Sequence, residues 1–398
     1  MLKGLRIVEL ATYVAGPGAA GILCDWGASV IKIEQPGGDP MRKFFDTLGL
    51  KNPTSPMFEM DNRGKRSLTL DITKPHSRDV LLALLRQADV FVTNLRPGAL
   101  KRAKLDWDDV RGENERLIFA NITGYGRDGA EADRPGFDIA AFWARSGMAA
   151  LTAPKGAEPF LPRTAFGDHI CALATAAAIL AAAHERQATG KGRLVETSLL
   201  RAGTYALSAD LAIQMRLGRV ASTRARRENV SPLANFFKTG DERWFCMVPR
   251  QGAGGDWDRV ARAAKREDLI DDPRFADAKA RRQNTPALVD VLDAAFSAMT
   301  LEELGARFDA EGVVWAPAQR PAEVVADPQA HAAGCFTEIP DGAGGAYAAP
   351  AGPARFHGVD VGPQGPAPAP GQHTQEILTE LGFSAAEQGR MRESGALG

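Results

Sequence analysis

Along the first 125 residues, short apolar runs of strand character alternate with segments of helical spacing. Arg6–Leu10 and Ser29–Glu34 read as strands around a helix. Arg78–Gln87 reads as a helix, with Pro75 suited to its first turn. Val90–Leu95 and Leu117–Tyr125 are β-branched and aromatic runs bounded by turn residues. Such alternation predicts an α/β fold with an open, largely parallel, Rossmann-like sheet. Asp138–Ala150 and Cys171–Arg186 are helical by pattern, and the alanines of the second predict a close-packed buried helix.

The texture then changes. Residues 216–228, with Arg216, Arg219, Arg224, Arg226 and Arg227, read as a solvated connector, and phosphate binding is the sharper alternative. Asn235–Thr239 and Arg243–Val248 flank Gly240-Asp241, a hairpin signal. Helices follow at Asp256–Lys265, Pro286–Met299 and Leu301–Glu311. The pattern predicts a large domain over 1–215, a smaller α+β domain over 229–327, and a tail over 328–398. Within the tail, Gly362–Gly371 reads as an extended tether that docks the terminal helices at a specific place. Ser384-Ala385-Ala386-Glu387 is a capping box for the last helix.

Composition narrows the function. The chain has 398 residues and a net charge of −1, so no global basic field collects nucleic acid or an anionic membrane. No apolar run reads as a membrane span. Met1–Leu10 enters strand-like sequence directly, without the longer apolar segment and cleavage site of a secretory signal. Cys24, Cys171, Cys246 and Cys335 lie far apart and form no CxxC pair. They read as buried free thiols in a reducing cytoplasm. The six histidines stand in no HxxxH or HExxH arrangement, so no metal site is expected.

Gly16-Pro17-Gly18-Ala19-Ala20-Gly21 matches the G-x-G-x-x-G fingerprint of dinucleotide-binding folds, and Glu34 ends the next strand. The register argues against it. Counting back from Gly27-Ala28-x-Val30 places the three glycine positions at Ala11, Tyr13 and Gly16. Tyr13 would stand where a backbone must approach a pyrophosphate. The actual glycines fall inside the first turns of the helix, where they permit close packing.

Asp168, in Thr164-Ala165-Phe166-Gly167-Asp168-His169, has two local readings. It is the N-cap of the alanine-rich helix, or a nucleophile held ionised by the helix N-terminus.

The order of several motifs carries a resemblance. Gly27-Ala28-x-Val30-Ile31-Lys32-Ile33-Glu34, Gly37-Gly38-Asp39-Pro40 and Asn62-Arg63-Gly64-Lys65-Arg66-Ser67 come first. Asn94-x-Arg96-Pro97-Gly98, Gly124-Tyr125-Gly126, Gly167-Asp168, Gly190-Lys191-Gly192 and Asp272-Pro273-Arg274-Phe275 follow. Together they resemble the class III CoA-transferases, nearly end to end. The resemblance implies a large domain built from both chain ends, a smaller middle domain, and a homodimer of interlocked rings.

It also implies chemistry. Asp168 matches the catalytic aspartate that attacks an acyl-CoA thioester to form a mixed anhydride. The CoA thiolate then makes an aspartyl-CoA thioester, and an acceptor acid takes the CoA through a second anhydride. An ordinary Asp pKa, about 3.9, would leave that carboxylate ionised at neutral pH. Ala165 and Gly167 would leave room for the acyl group. CoA is a carried substrate, with no permanent cofactor and no metal. By position, Asn94, Arg96 and Arg102 fall in one CoA-binding loop and Lys65 and Arg66 in another. Phe137 and Val14 fall in the substrate pocket. Gln35 departs from transferases that carry arginine there, which removes an expected adenine-side contact.

Related α-methylacyl-CoA racemases carry His-Asp where this chain has Phe137-Asp138, and a glutamate near Pro249-Arg250-Gln251. Both proton carriers are missing, so racemization is the alternative reading and transfer the preferred one. A non-catalytic acyl-CoA or nucleotide-binding protein is the alternative from a different class. Ala141–Gly147 resembles transferases acting on 2-hydroxy, aryl or bile acids. The loop Gly252-Ala253-Gly254-Gly255 is a candidate for closing over the acyl site.

Overall fold

Strands that are apolar on both faces must be covered on both faces, which favours parallel pairing with helical crossovers. The computed structural model, which describes residues 1–50, 55–250, 255–359 and 361–397, contains such a sheet. Residues 252–254, within the proposed closing loop, lie outside the described residues. By contact density the chain divides into two compact units. One is Met1–Ala150, Phe160–Val220 and Gln329–Gly398; the other is Leu151–Pro159 and Ala221–Pro328.

The first unit holds β1 (Arg6–Leu10), β2 (Ser29–Glu34), β3 (Arg66–Thr69), β4 (Val90–Thr93), β5 (Ile118–Thr123) and β6 (Leu194–Ser198). Their order is β3-β2-β1-β4-β5-β6, and every pairing is parallel. Every residue of β4 and β5 is buried. β3 and β6 are absent from the sequence pattern because they interleave polar residues. Ser67 is buried there only because its hydroxyl donates to Glu34 Oε1 at 2.7 Å.

The first helix, Ala15–Asp25, uses its glycines for contact. A Cβ on Gly18 would stand 3.2 Å from Ala172 Cβ, and one on Gly21 only 2.7 Å from the Asp61 carbonyl oxygen. The helix is thereby held close to the helices Phe166–Thr189 and Pro56–Asn62. The single helix expected over Asp138–Ala150 is instead a π-helical turn, Ile139–Ala144, and a short helix, Met148–Thr152. Gly147, at φ 96°, separates them.

Phe166–Thr189 is longer than the pattern indicated and buries one face, not all of its circumference. It is also long and apolar enough, by length and composition, to cross a membrane, which corrects the sequence expectation of no such segment. Here it packs on the first helix and on β5 and β6.

The Pro/Gly tether runs beside β3. Gly64 N–H donates to the Pro366 carbonyl at 3.1 Å, Gly371 N–H to Ser67 Oγ at 2.9 Å, and Thr69 N–H to Thr374 Oγ1 at 3.1 Å. The terminal helices Thr374–Glu380 and Ala385–Glu393 then deliver Ile377, Leu378 and Met391 to the core that also holds Leu68 and Phe91. Ser384 and Glu387 form the capping box.

In the second unit, β7 (Asn235–Lys238) and β8 (Trp244–Met247) pair antiparallel, and β9 (Trp315–Pro317) joins as a third strand. Phe237, Phe245, Phe296 and Phe308 form its aromatic centre. Two of the connector arginines are paired: the partly buried Arg226 with Asp293 at 2.5 Å, and the exposed Arg227 with Asp290. Both acids lie on the helix Thr285–Phe296, while Arg216, Arg219 and Arg224 are exposed. A final pair, β10 (Phe336–Pro340) and β11 (Ala346–Pro350), belongs to the first unit.

Candidate active site

In an open parallel sheet, loops leaving neighbouring strands in opposite directions open a crevice at the strands' C-terminal ends. Here the strand order reverses between β1 and β4. A cavity of about 420 Å³ lies at that place. Its walls come from Thr12, Tyr13 and Ala15 after β1, from Asn94–Arg96 and Ala99 after β4, and from Ile122–Gly124 at the end of β5. Arg134–Phe137, Leu199 and Asp168 complete it.

Asp168 is the third residue of its helix. The N-cap is Ala165, at φ 69°, and no side chain caps that end, so the N-cap reading of Asp168 is corrected. Its carboxyl is also not an ordinary one. Burial, then the carboxylates of Asp138 and Asp61, push its pKa up to about 7, and His169 offsets only part of this. Desolvation and like charge both favour the neutral carboxyl. Asp138 Oδ1 accepts from Ile139 N–H at 2.8 Å, while its buried Oδ2 has no hydrogen-bond partner among the described residues. Asp61 Oδ1 lies 3.2 Å from His169 Nε2, and this bond leads the causes that raise the His169 pKa.

The small neighbours of Asp168 serve packing. A Cβ on Gly167 would lie 2.5 Å from the Phe142 ring. Ala165 is buried beside Val14, Met41 and Phe58. Neither opens space for an acyl group, and Val14 lies in that small core instead of lining the cavity. Phe137 does line it, as does Tyr13, which the sequence marked only as a missing glycine. Tyr13 adopts φ 64°, the conformation that a glycine would have taken without strain. The sequence signal was there, in the register that placed a glycine position at Tyr13.

The proposed CoA residues divide. Arg96 lines the cavity, is exposed, and pairs with no carboxylate among the described residues; its Nη1 donates to the Asp133 carbonyl at 2.6 Å. Arg102 is exposed further along the same helix, Pro97–Ala103, outside the cavity. Asn94 is a clamp: it accepts from Thr12 N–H at 3.1 Å and donates to the Thr12 carbonyl at 2.7 Å.

Lys65 is corrected outright. Its Nζ is buried and reaches Glu9 Oε2 at 2.6 Å, the Pro17 carbonyl at 2.8 Å and Asn62 Oδ1 at 3.0 Å. An ammonium so enclosed meets no phosphate. Arg66 is spent on Glu376 at 2.7 Å and Glu380 at 2.9 Å, pinning a terminal helix. Arg134, missed in the sequence, lines the cavity, pairs with Glu131 at 2.5 Å and stacks over Tyr125.

Of the four free cysteines, Cys24 and Cys171 are buried, with thiol pKa values pushed up to about 12 mainly by burial. Cys335 is exposed and Cys246 partly so, against the expectation that all four are buried. Among the described residues no cluster of three metal-ligating side chains occurs.

Fold and crevice together define a Rossmann-like α/β protein with a carboxylate at its switch point. Residues 2–374 match the family described as CoA-transferase family III, and the chain belongs to that family. It is 31% identical to (R)-2-hydroxy-4-methylpentanoate CoA-transferase of Clostridioides difficile, over 99% of this chain and 98% of that one. It is 29% identical to cinnamoyl-CoA:phenyllactate CoA-transferase of Clostridium sporogenes, over 97% and 95%. Among solved structures, a CAIB/BAIF family protein from Brucella suis superposes with a TM-score of 0.85 at 29% identity, covering 96% of this chain and 99% of that one. The chain is thus an enzyme that transfers CoA.

Proposed function

We propose that the protein moves CoA from an acyl-CoA to a carboxylic acid by covalent catalysis at Asp168. The observation that carries this reading is that Asp168 is the one carboxylate lining the crevice, which presents no His, Cys, Ser or Lys among the described residues. An Asp168 carboxylate oxygen attacks the thioester carbonyl carbon; the C–S bond breaks and CoA thiolate leaves. The thiolate attacks the Asp168 carbonyl carbon of the anhydride, releasing the donor acid and leaving aspartyl-CoA thioester. The acceptor carboxylate then displaces CoA thiolate from Asp168. That thiolate attacks the acceptor's acyl carbon, giving the new acyl-CoA and regenerating Asp168.

In this reading Arg96, with Arg102 nearby on the same helix, meets the CoA phosphates, and Asn94 holds the Thr12–Tyr13 turn. The active form is an interlocked homodimer working in the cytoplasm, CoA is carried as substrate, and no metal takes part. Incubation with a panel of acyl-CoAs, a hydroxylamine quench and peptide mass spectrometry tests the mechanism. A hydroxamate on Asp168 is expected. Acyl-CoA binding with no adduct from any donor would sink it.

One observation favours a second reading. A carboxyl with a pKa near 7 suits proton transfer at an α-carbon, which is racemase chemistry. Solvent deuterium entering the α-position without net CoA transfer would establish that instead.

A further inference from the structure

The rim of the crevice carries two exposed rings. Tyr13 is 38% and Phe137 59% exposed, and the rings meet edge to face with centroids 5.4 Å apart. Single exposed apolar side chains are ordinary. These two touch each other at the cavity that holds Asp168. The backbone under Tyr13 is also expensive, because φ 64° is a left-handed conformation that a tyrosine rarely adopts.

The surrounding residues hold it there. Tyr13 N–H donates to Asp39 Oδ1 at 3.2 Å, and Asn94 clamps both polar backbone atoms of Thr12. Asp39 Oδ2 is 2.9 Å from Lys32 Nζ, which also meets Glu9 Oε1 at 2.8 Å. Strain held by part-buried hydrogen bonds that continue into buried ion pairs is of the kind that clusters at functional sites.

We propose that Tyr13 and Phe137 are the specificity-determining residues for the acyl group, and that the preferred group carries an aromatic ring. This rests on the reading of Asp168 as the acylated residue. An edge-to-face pair leaves a face and an edge open to a third ring. The neighbouring walls, Ala15, Ile122 and Leu199, are apolar. A dicarboxylic donor would need a cation for its second carboxylate, but Arg134 is engaged by Glu131 and Arg96 is assigned to CoA.

The test pits 3-phenylpropanoyl-CoA against hexanoyl-CoA and succinyl-CoA in one mixture, with the Asp168 adducts counted by mass spectrometry. The full-length protein is expected to take the phenyl donor roughly tenfold in preference to the others, the range of an aromatic contact. Phe137→Leu, which keeps an apolar side chain without the ring, is expected to bring the phenyl-to-hexanoyl ratio toward one; Phe137→Tyr is expected to keep it. Equal labelling by phenyl and hexanoyl donors, or a ratio unmoved by Phe137→Leu and Tyr13→Leu alike, would overturn the assignment while leaving Asp168 as nucleophile. Adducts from none of the three would overturn the Asp168 reading, and this one with it.

Discussion

At the scale of residues, the proposed mechanism makes activity follow the titration of Asp168. A nucleophile with a pKa near 7 is mostly protonated in mild acid, so acylation is expected to rise with pH and level off above about 7. A pH profile of the first half-reaction checks this; a plateau already reached near pH 5 would mean an ordinary carboxyl. The same shift couples to stability. Between the ordinary Asp range and about 7 the folded protein keeps a proton that the unfolded chain has released, so stability falls as pH climbs through that window. Asparagine has no such penalty. Asp168→Asn is expected to abolish transfer and to raise the melting temperature, with a gain largest near pH 8 and vanishing near pH 4. The position of Asp168 was legible in Gly167-Asp168, but its pKa was not, because its burial, first, and then the neighbouring Asp138 and Asp61 come from elsewhere in the chain. The run Asn62–Ser67 likewise reads as a basic loop whether Lys65 is solvated or enclosed. Only the fold puts Glu9 beneath it. Arg96→Ala is accordingly expected to raise KM for acyl-CoA by about tenfold, the scale of a charged hydrogen bond, whereas Lys65→Met is expected to act on folding stability. Steady-state kinetics beside chemical denaturation separates the two.

At the scale of elements, the crevice depends on how tightly three helices approach each other. Gly21 faces the Asp61 carbonyl, where a Cβ would stand at 2.7 Å against backbone that cannot rotate away. Gly21→Ala is expected to cost about 1–3 kcal/mol, read from the denaturation midpoint, and to disturb the Asp61–His169 contact beside Asp168. Glu9 joins β1 to two buried lysines, Lys32 and Lys65, which hold its carboxyl below the usual range despite burial. Glu9→Gln takes from the buried Lys65 its carboxylate partner, while Lys32 keeps Asp39 at 2.9 Å, and is expected to cost about 3–5 kcal/mol. A loss under 1 kcal/mol in urea melts would contradict the network. The strands with unbroken apolar runs and the close-packing role of the glycines were readable from sequence, since both follow from local spacing. β3, β6 and β9 were not. β3 and β6 interleave polar residues, β9 has only three residues, and their pairing is set by neighbours distant in sequence. The break at Gly147 hides inside an otherwise helical pattern for a related reason: a positive φ is a property of the fold around it.

At the scale of the whole molecule, one surface of the first unit is left bare. The helix Ser208–Leu217 buries none of its residues, yet it carries Met215 at 86% and Leu217 at 67% exposure, next to Tyr205 at 80%. Large apolar side chains this exposed, several on one short helix, are more than the scattered single ones of ordinary surface and fit an interface. With a net charge of −1, little long-range repulsion opposes association of identical chains. A second copy of this chain is the occupant expected from the proposed interlocked dimer, and interlocking would add a kinetic signature that an ordinary interface lacks. Rings threaded through one another separate only by unfolding. Light scattering is expected to give twice the 42.5 kDa chain mass, and that mass is expected to persist on dilution far below the concentration at which a surface-only dimer would dissociate. Mixing tagged and untagged protein should yield no mixed dimers until denaturant reaches the unfolding range. Rapid exchange of subunits in native buffer would refute the threading while leaving a simple dimer in place. A folded, active monomer would refute both, and would leave the bare helix in need of another partner.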